Sequence, residues 1–178
     1  DAEEADKLVS NAGYKDTIDD IETALDSNKE TLGYVPADSL PESGSWGVEM
    51  AYYDWCIAEI ARHAGNKEVA EAYQKKSENY KRYLDPETKM MRPVMADGSF
   101  RTPFNPRYSA HMKSDYTEGN AFQWSFFVPH DMDNYIAAIG GKLELETRLA
   151  ALLLWAIISK LPFRMGRVAF FTIGRPNV

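Results

Sequence analysis

Two neighbouring stretches of opposite character constrain the fold most. Over residues 48–64 apolar side chains fall almost all round a helix: Val48, Met50, Ala51, Tyr52, Tyr53, Trp55, Cys56, Ile57, Ala58, Ile60 and Ala61. A helix without a polar face is buried on most sides. Over residues 67–84 the apolar side chains narrow to one stripe, Val69, Tyr73, Tyr80, Tyr83 and Leu84, with Lys, Glu and Gln opposite. Such a helix lies on a surface. Gly65-Asn66 between them ends the first helix as a C-cap does. A buried helix followed by a one-sided antiparallel partner is the alternation of a two-layer helical barrel, inner helix then outer. A helical solenoid alternates in the same way, but no repeat at solenoid periods is present. The predicted class is all-α.

The rest of the chain fits around this pair. Residues 1–30 are acidic, with two short helical stripes: Ala5, Leu8, Val9 and Ala12, then Ile18, Ile21, Ala24 and Leu25. Gly33-Tyr34-Val35-Pro36 is a break, and the Pro-, Ser- and Gly-rich stretch to Gly47 reads as loop. Asp85-Pro86-Glu87-Thr88 begins a turn. Residues 89–116 carry Arg92-Pro93, Asp97-Gly98, Arg101-Thr102-Pro103 and Asn105-Pro106, with little helical pattern. A loop this long is usually functional or disordered. Its aromatics and arginines favour order. A helix is predicted to start near Glu118 or Gly119, capped by Thr117, and to be interrupted at Pro129. Asp131 caps a second helix, 132–139, which Gly140-Gly141 stops. Residues 142–158 are helical, and 161–178 form an irregular tail with three arginines and no acid.

The 178 residues fit one domain or a piece of a larger one. A net charge of -7 argues against a nucleic-acid partner, which calls for clustered Lys and Arg. The one cysteine, Cys56, reads as a buried inert thiol. The longest apolar run, 149–158, is about half of a membrane span, so no span is expected.

Chemistry concentrates in residues 115–131. Five rings, Tyr116, Phe122, Trp124, Phe126 and Phe127, accompany one acid, Glu118, with the amides of Asn120 and Gln123 close by. A carboxyl among rings is poorly solvated, which raises its pKa. A general acid working near neutral pH needs that property. Rings and amides suit a sugar, with its apolar C–H faces and many hydroxyls. The competing reading is a buried helix with one satisfied Glu. Elsewhere His63, His111 and His130 lack metal-ligand spacing, and no phosphate loop or dinucleotide glycine pattern occurs.

Several ordered segments carry a family resemblance. They are Asp54-Trp55-Cys56-Ile57-Ala58, Asn79-Tyr80, Asp85-Pro86-Glu87-Thr88, Met91-Arg92-Pro93, Asp97-Gly98-Ser99 and Pro103-Phe104. Above all they include Tyr116-Thr117-Glu118-Gly119-Asn120-Ala121 and Phe127-Val128-Pro129-His130-Asp131. Together they resemble glycoside hydrolase family 92, calcium-dependent, inverting, exo-acting α-mannosidases. The match is well spaced over 33–141 and poor over 161–178. The resemblance implies that 1–178 is part of an (α/α)6 catalytic barrel, within a larger polypeptide, acting on terminal α-linked mannose of glycans outside the cytoplasm. It implies that Glu118 is the general acid. Asn120 and Gln123 become candidate sugar or calcium-shell contacts, and Arg101 and Arg92 further substrate-binding candidates. Ca2+ is the implied cofactor, with no ligands identifiable in this chain. The family's aspartate base and its N-terminal β-sandwich have no counterpart here. Where the family reads Gly-Asn-Glu-Pro, this chain reads Gly174-Arg175-Pro176-Asn177. The alternative from another class is a non-catalytic helical module that binds glycan or protein through the same aromatic surface.

Overall fold

A computed structural model describes residues 23–158 apart from 24 and 111. The residues of the two expected N-terminal stripes other than Leu25, together with His111 and the tail at 161–178, lie outside the described residues. After a helical segment ending at Thr31 come α1 (Ser43–His63), α2 (Lys67–Lys76) and a 3-10 helix (Ser77–Arg82). Then follow the one-turn α3 (Ala121–Trp124), α4 (Met132–Ile139) and α5 (Lys142–Ile158). Among the described residues there is no strand, only isolated bridges between Leu84 and Met91 and between Val94 and Phe100.

The α1–α2 pair forms as its sequence predicts. Gly65 turns the chain in the left-handed region at φ +76°, and the Asn66 side chain caps α2 by accepting the Val69 amide at 3.2 Å. Burial of α1 differs from the expectation. Val48, Ala51, Asp54, Ala58 and Ala61 are buried, but Tyr53, Ile57 and Ile60 are exposed, Ile60 by 69%. A helix apolar all round needs neighbours all round, and the described residues cover one side only. Asp54 is tolerated on the covered side because Lys29 approaches it at 2.7 Å, which also ties the 25–31 segment to α1. Cys56 is half-buried rather than buried.

The start of α1 also departs from the prediction. The helix begins at Ser43, five positions before Val48, inside the stretch expected to be loop. Ser43, Gly44, Ser45 and Gly47 are all buried there. Their small size serves packing. A Cβ on Gly44 would lie 2.9 Å from the Asp115 carbonyl and from the Tyr116 ring, and one on Gly47 would overlap the Tyr83 ring. Tyr83 cannot retreat: its hydroxyl donates to the Val35 carbonyl at 3.0 Å and accepts the Val35 amide at 2.8 Å. Gly47→Ala is therefore expected to destabilise the fold, despite alanine's better helix propensity. The cost is about 3 kcal/mol, the upper end for overpacking, read as a lowered denaturation midpoint. A neutral or stabilising result would mean that the ring moves.

The second helix does not continue to Leu84 as an α-helix. It changes to 3-10 geometry at Ser77, whose hydroxyl donates to the Gln74 carbonyl at 2.7 Å. Three residues per turn line up Ser77, Tyr80 and Tyr83, all buried, in one row. At 3.6 residues per turn Tyr83 would drift off that row.

The long loop is ordered and adds Met91 and Val94 to the core, beside Tyr34, Val48, Tyr80, Tyr83, Val128, Tyr135 and Ile139. Asp85 organises its start. Burial pushes that carboxyl up, but the Glu87 amide, the Thr88 hydroxyl and the Arg92 guanidinium outweigh burial and hold it below its ordinary range. Further on, α3 starts at Ala121, later than predicted, and its cap is Asn120 instead of Thr117. Asp131 precedes α4 as expected, but its carboxylate does not cap the helix. It accepts the Tyr80 hydroxyl and the Asn134 amide, each at 2.7 Å. Gly140, at φ +118°, ends α4.

Candidate active site

The N-terminal turn of α1 seats the segment leading to Glu118. Glu42 N–H donates to the Ser114 carbonyl at 2.9 Å, and Gly44 N–H donates to the Asp115 carbonyl at 3.0 Å. Ser45 Oγ accepts the Thr117 amide at 2.8 Å. On the other side, the Trp124 indole N–H donates to the Thr117 carbonyl at 2.8 Å. Gly119 leaves no room: a Cβ there would lie 3.0 Å from Gln123 Oε1 and 3.1 Å from Trp124 Nε1. Between these anchors Glu118 adopts φ 47°, in the left-handed region. A side chain disfavours that conformation by about 1–2 kcal/mol, and it persists only where the surroundings impose it.

Glu118 is exposed, which corrects the expectation of a carboxyl buried among rings. The rings serve the core instead. Tyr116 is buried and its hydroxyl donates to the Met91 carbonyl. Trp124, Phe126 and Phe127 pack against the core cluster, with Trp124 and Phe127 centroids 5.5 Å apart. Phe122 lies 6.0 Å from the Arg107 guanidinium. Among the described residues the Glu118 carboxylate makes no hydrogen bond or ion pair, so it is free to meet a ligand.

Asn120 and Gln123 stand in the same turn and form a capping box. Asn120 Oδ1 accepts the amides of Phe122 and Gln123 at 3.0 and 3.4 Å, and Gln123 Oε1 accepts the Asn120 amide at 3.1 Å. Their oxygens are thus committed to the helix start; Asn120 is buried, and Gln123 is exposed. Arg101 reaches the segment through Asp115, with which it ion-pairs, and also donates to the Ala37 carbonyl. This pair lines a cleft of 310 Å3 with Phe104, Tyr108 and Lys113. Burial raises the Asp115 carboxyl, and Arg101 only partly offsets that. Arg92 is not at the turn. It ion-pairs with Asp85 at 3.1 Å, donates twice to the Arg101 carbonyl and stacks on Phe100 and Phe104. His130 is held as a structural group: Nε2 meets the Ser77 carbonyl at 3.0 Å, and burial pushes the imidazole down despite that bond.

The residues and their order match the family model of the glycosyl hydrolase family 92 catalytic domain over residues 2–164. The chain belongs to glycosyl hydrolase family 92. Solved family 92 structures agree with that membership. The α-mannosidase BT3965 from Bacteroides thetaiotaomicron is 37% identical over 70% of this chain, with a TM-score of 0.65. The same protein in complex with mannoimidazole aligns over 72% of this chain at 36% identity, with a TM-score of 0.68. The inverting mannosidase BT2199 from Bacteroides thetaiotaomicron VPI-5482 is 32% identical over 69%, with a TM-score of 0.65. The chain spans only 16%, 17% and 16% of those three chains. A search of the curated proteins finds no match. The fold is therefore an all-α segment of a helical barrel, as the resemblance implied. No group of three or more His, Cys, Asp or Glu able to hold a metal occurs among the described residues. No described helix is long and apolar enough to cross a membrane.

The anchoring of the Glu118 turn on Glu42 and Ser45 escaped the sequence reading. Those residues sit in a stretch that looks like loop, and nothing in their spacing points across some seventy positions to Thr117.

Proposed function

We propose that this chain is the part of an exo-acting α-mannosidase that supplies the general acid, Glu118, for inverting hydrolysis of terminal α-linked mannose. The observation that carries this reading is the Thr117-Glu118-Gly119-Asn120 turn, with its free carboxylate in a conformation the surroundings impose. A side chain that must protonate a departing glycosidic oxygen needs a fixed position and no competing partner. Glu118 has both. Its proton passes to the leaving oxygen while a second carboxylate, from the remainder of a longer polypeptide, takes a proton from water on the opposite face of the sugar. Asn120 and Gln123 offer amide donors to sugar hydroxyls beside it, and Arg101 borders the neighbouring cleft. Arg92 supports that cleft from behind without touching substrate. The cover over Glu118, and the residues for the calcium that family membership implies, are assigned to the same remainder. An extracytoplasmic location is assigned on family membership, and cell fractionation tests it.

Product stereochemistry tests the mechanism. The complete polypeptide is expected to release β-mannose first from an α-mannoside, seen by proton NMR before mutarotation. That outcome goes with acid and base carboxyls about 6.5–9.5 Å apart, a gap that admits the attacking water. First release of the α-anomer would overturn the inverting assignment.

A further inference from the structure

The side chain of Glu42 is placed as deliberately as its backbone. It precedes α1, is only 9% exposed, and holds φ 57° in the left-handed region. Its carboxylate does not cap its own helix. Instead Oε1 accepts the Met112 amide at 3.0 Å and Oε2 accepts the Thr117 hydroxyl at 2.9 Å. A buried carboxylate is tolerated only when its oxygens are paired, and here both pair with the segment that ends in Glu118. With the Ser45 hydroxyl on the Thr117 amide, this fixes Thr117 by backbone and side chain at once. Left-handed non-glycine residues thus gather at this bridge: Glu42 and Met112 within it, and Glu118 next to Thr117. Backbone strain of this kind gathers where position matters.

We infer that Glu42 is a positioning residue for Glu118, acting through the Thr117 hydroxyl and the Met112 amide. The inference rests on the reading of Glu118 as the general acid. Loss of the Glu42 carboxylate frees Thr117 Oγ1, lets the turn relax, and moves the acid off the leaving oxygen. The damage falls on proton donation, so it depends on how much protonation the leaving group needs.

The test uses the complete polypeptide that carries this segment. Glu42→Ala is expected to lower kcat about 10- to 100-fold on an unactivated α-mannoside, the size expected for a misplacement near 1 Å. The loss is far smaller on a mannoside with a strongly acidic leaving group, with KM little changed on either. Glu42→Gln restores most of the rate, because its Oε1 accepts the Met112 amide and its NH2 donates to the Thr117 hydroxyl. Equal losses on both substrates would show a merely structural role and overturn the inference. Should Glu42→Ala fail to fold by circular dichroism, Thr117→Val decides, since it removes one hydroxyl contact alone. The same leaving-group-dependent loss supports the inference, and equal loss or none overturns it. Glu118→Gln measured alongside separates the two proposals. Without leaving-group dependence in that variant the acid assignment fails, and the positioning role with it. With dependence there but in neither Glu42→Ala nor Thr117→Val, only the positioning role fails.

Discussion

Glu118→Gln in the complete polypeptide is expected to slow turnover of unactivated α-mannosides by about 10²–10⁴-fold, the usual contribution of a positioned general acid. Glutamine keeps the shape of the side chain and removes the transferable proton. Loss of fold is not expected, because the Glu118 carboxylate makes no hydrogen bond or ion pair among the described residues and the turn is held by Thr117, Gly119 and Trp124. The informative comparison is between leaving groups. An alkyl mannoside leaves as a poor, basic alkoxide and needs the proton. A mannoside with a strongly acidic phenol leaves without it and loses far less. Equal losses on the two substrates would remove Glu118 from the role of acid. An unchanged affinity for glycan together with no hydrolysis in the parent protein would instead favour a binding module.

The 178-residue chain by itself is expected to hydrolyse no mannoside at a measurable rate. Inverting hydrolysis needs two carboxylates on opposite faces of the sugar. The acids flanking Glu118 in sequence are poor bases for the task. Asp115 is held by Arg101, and Asp131 by the Tyr80 hydroxyl and the Asn134 amide. The surface adds a second reason. Tyr53, Ile57 and Ile60 on α1, and Leu143, Leu149, Leu153 and Leu154 on α5, are exposed among the described residues. Exposed large apolar side chains of that kind favour association. The chain spans only 16–17% of the solved family 92 structures it matches. Purified chain assayed with calcium on an activated mannoside, with Glu118→Gln as control, tests this. Turnover by a monodisperse monomer, abolished in the variant, would place the base within these residues.

Some of this was legible in the residues and some was not. The pairing of α1 with α2 needed no tertiary information, because an all-round apolar run, a Gly-Asn break and a one-sided stripe are local patterns that each admit one helical reading. Gly140-Gly141 as a stop, and the order of the motifs around Glu118, are local in the same sense. The buried start of α1 at Ser43 was not legible. Glycine and serine have low helix propensity, and only the close approach of Tyr83 and Tyr116 makes small residues there an advantage. The 3-10 row of Ser77, Tyr80 and Tyr83 depends likewise on partners far away, at Val35 and Asp131. The rings near Glu118 misled for a related reason. Sequence proximity placed them around the carboxyl, but side chains next to each other in a turn point in different directions, and the core took the rings while solvent kept the acid. The sequence alone determined the pairing of α1 with α2 and which acid to examine; the tertiary structure decided the strained, exposed posture of that acid, because the hydrogen bonds that Thr117 donates to Glu42 and Ser45 act across a distance no local pattern records.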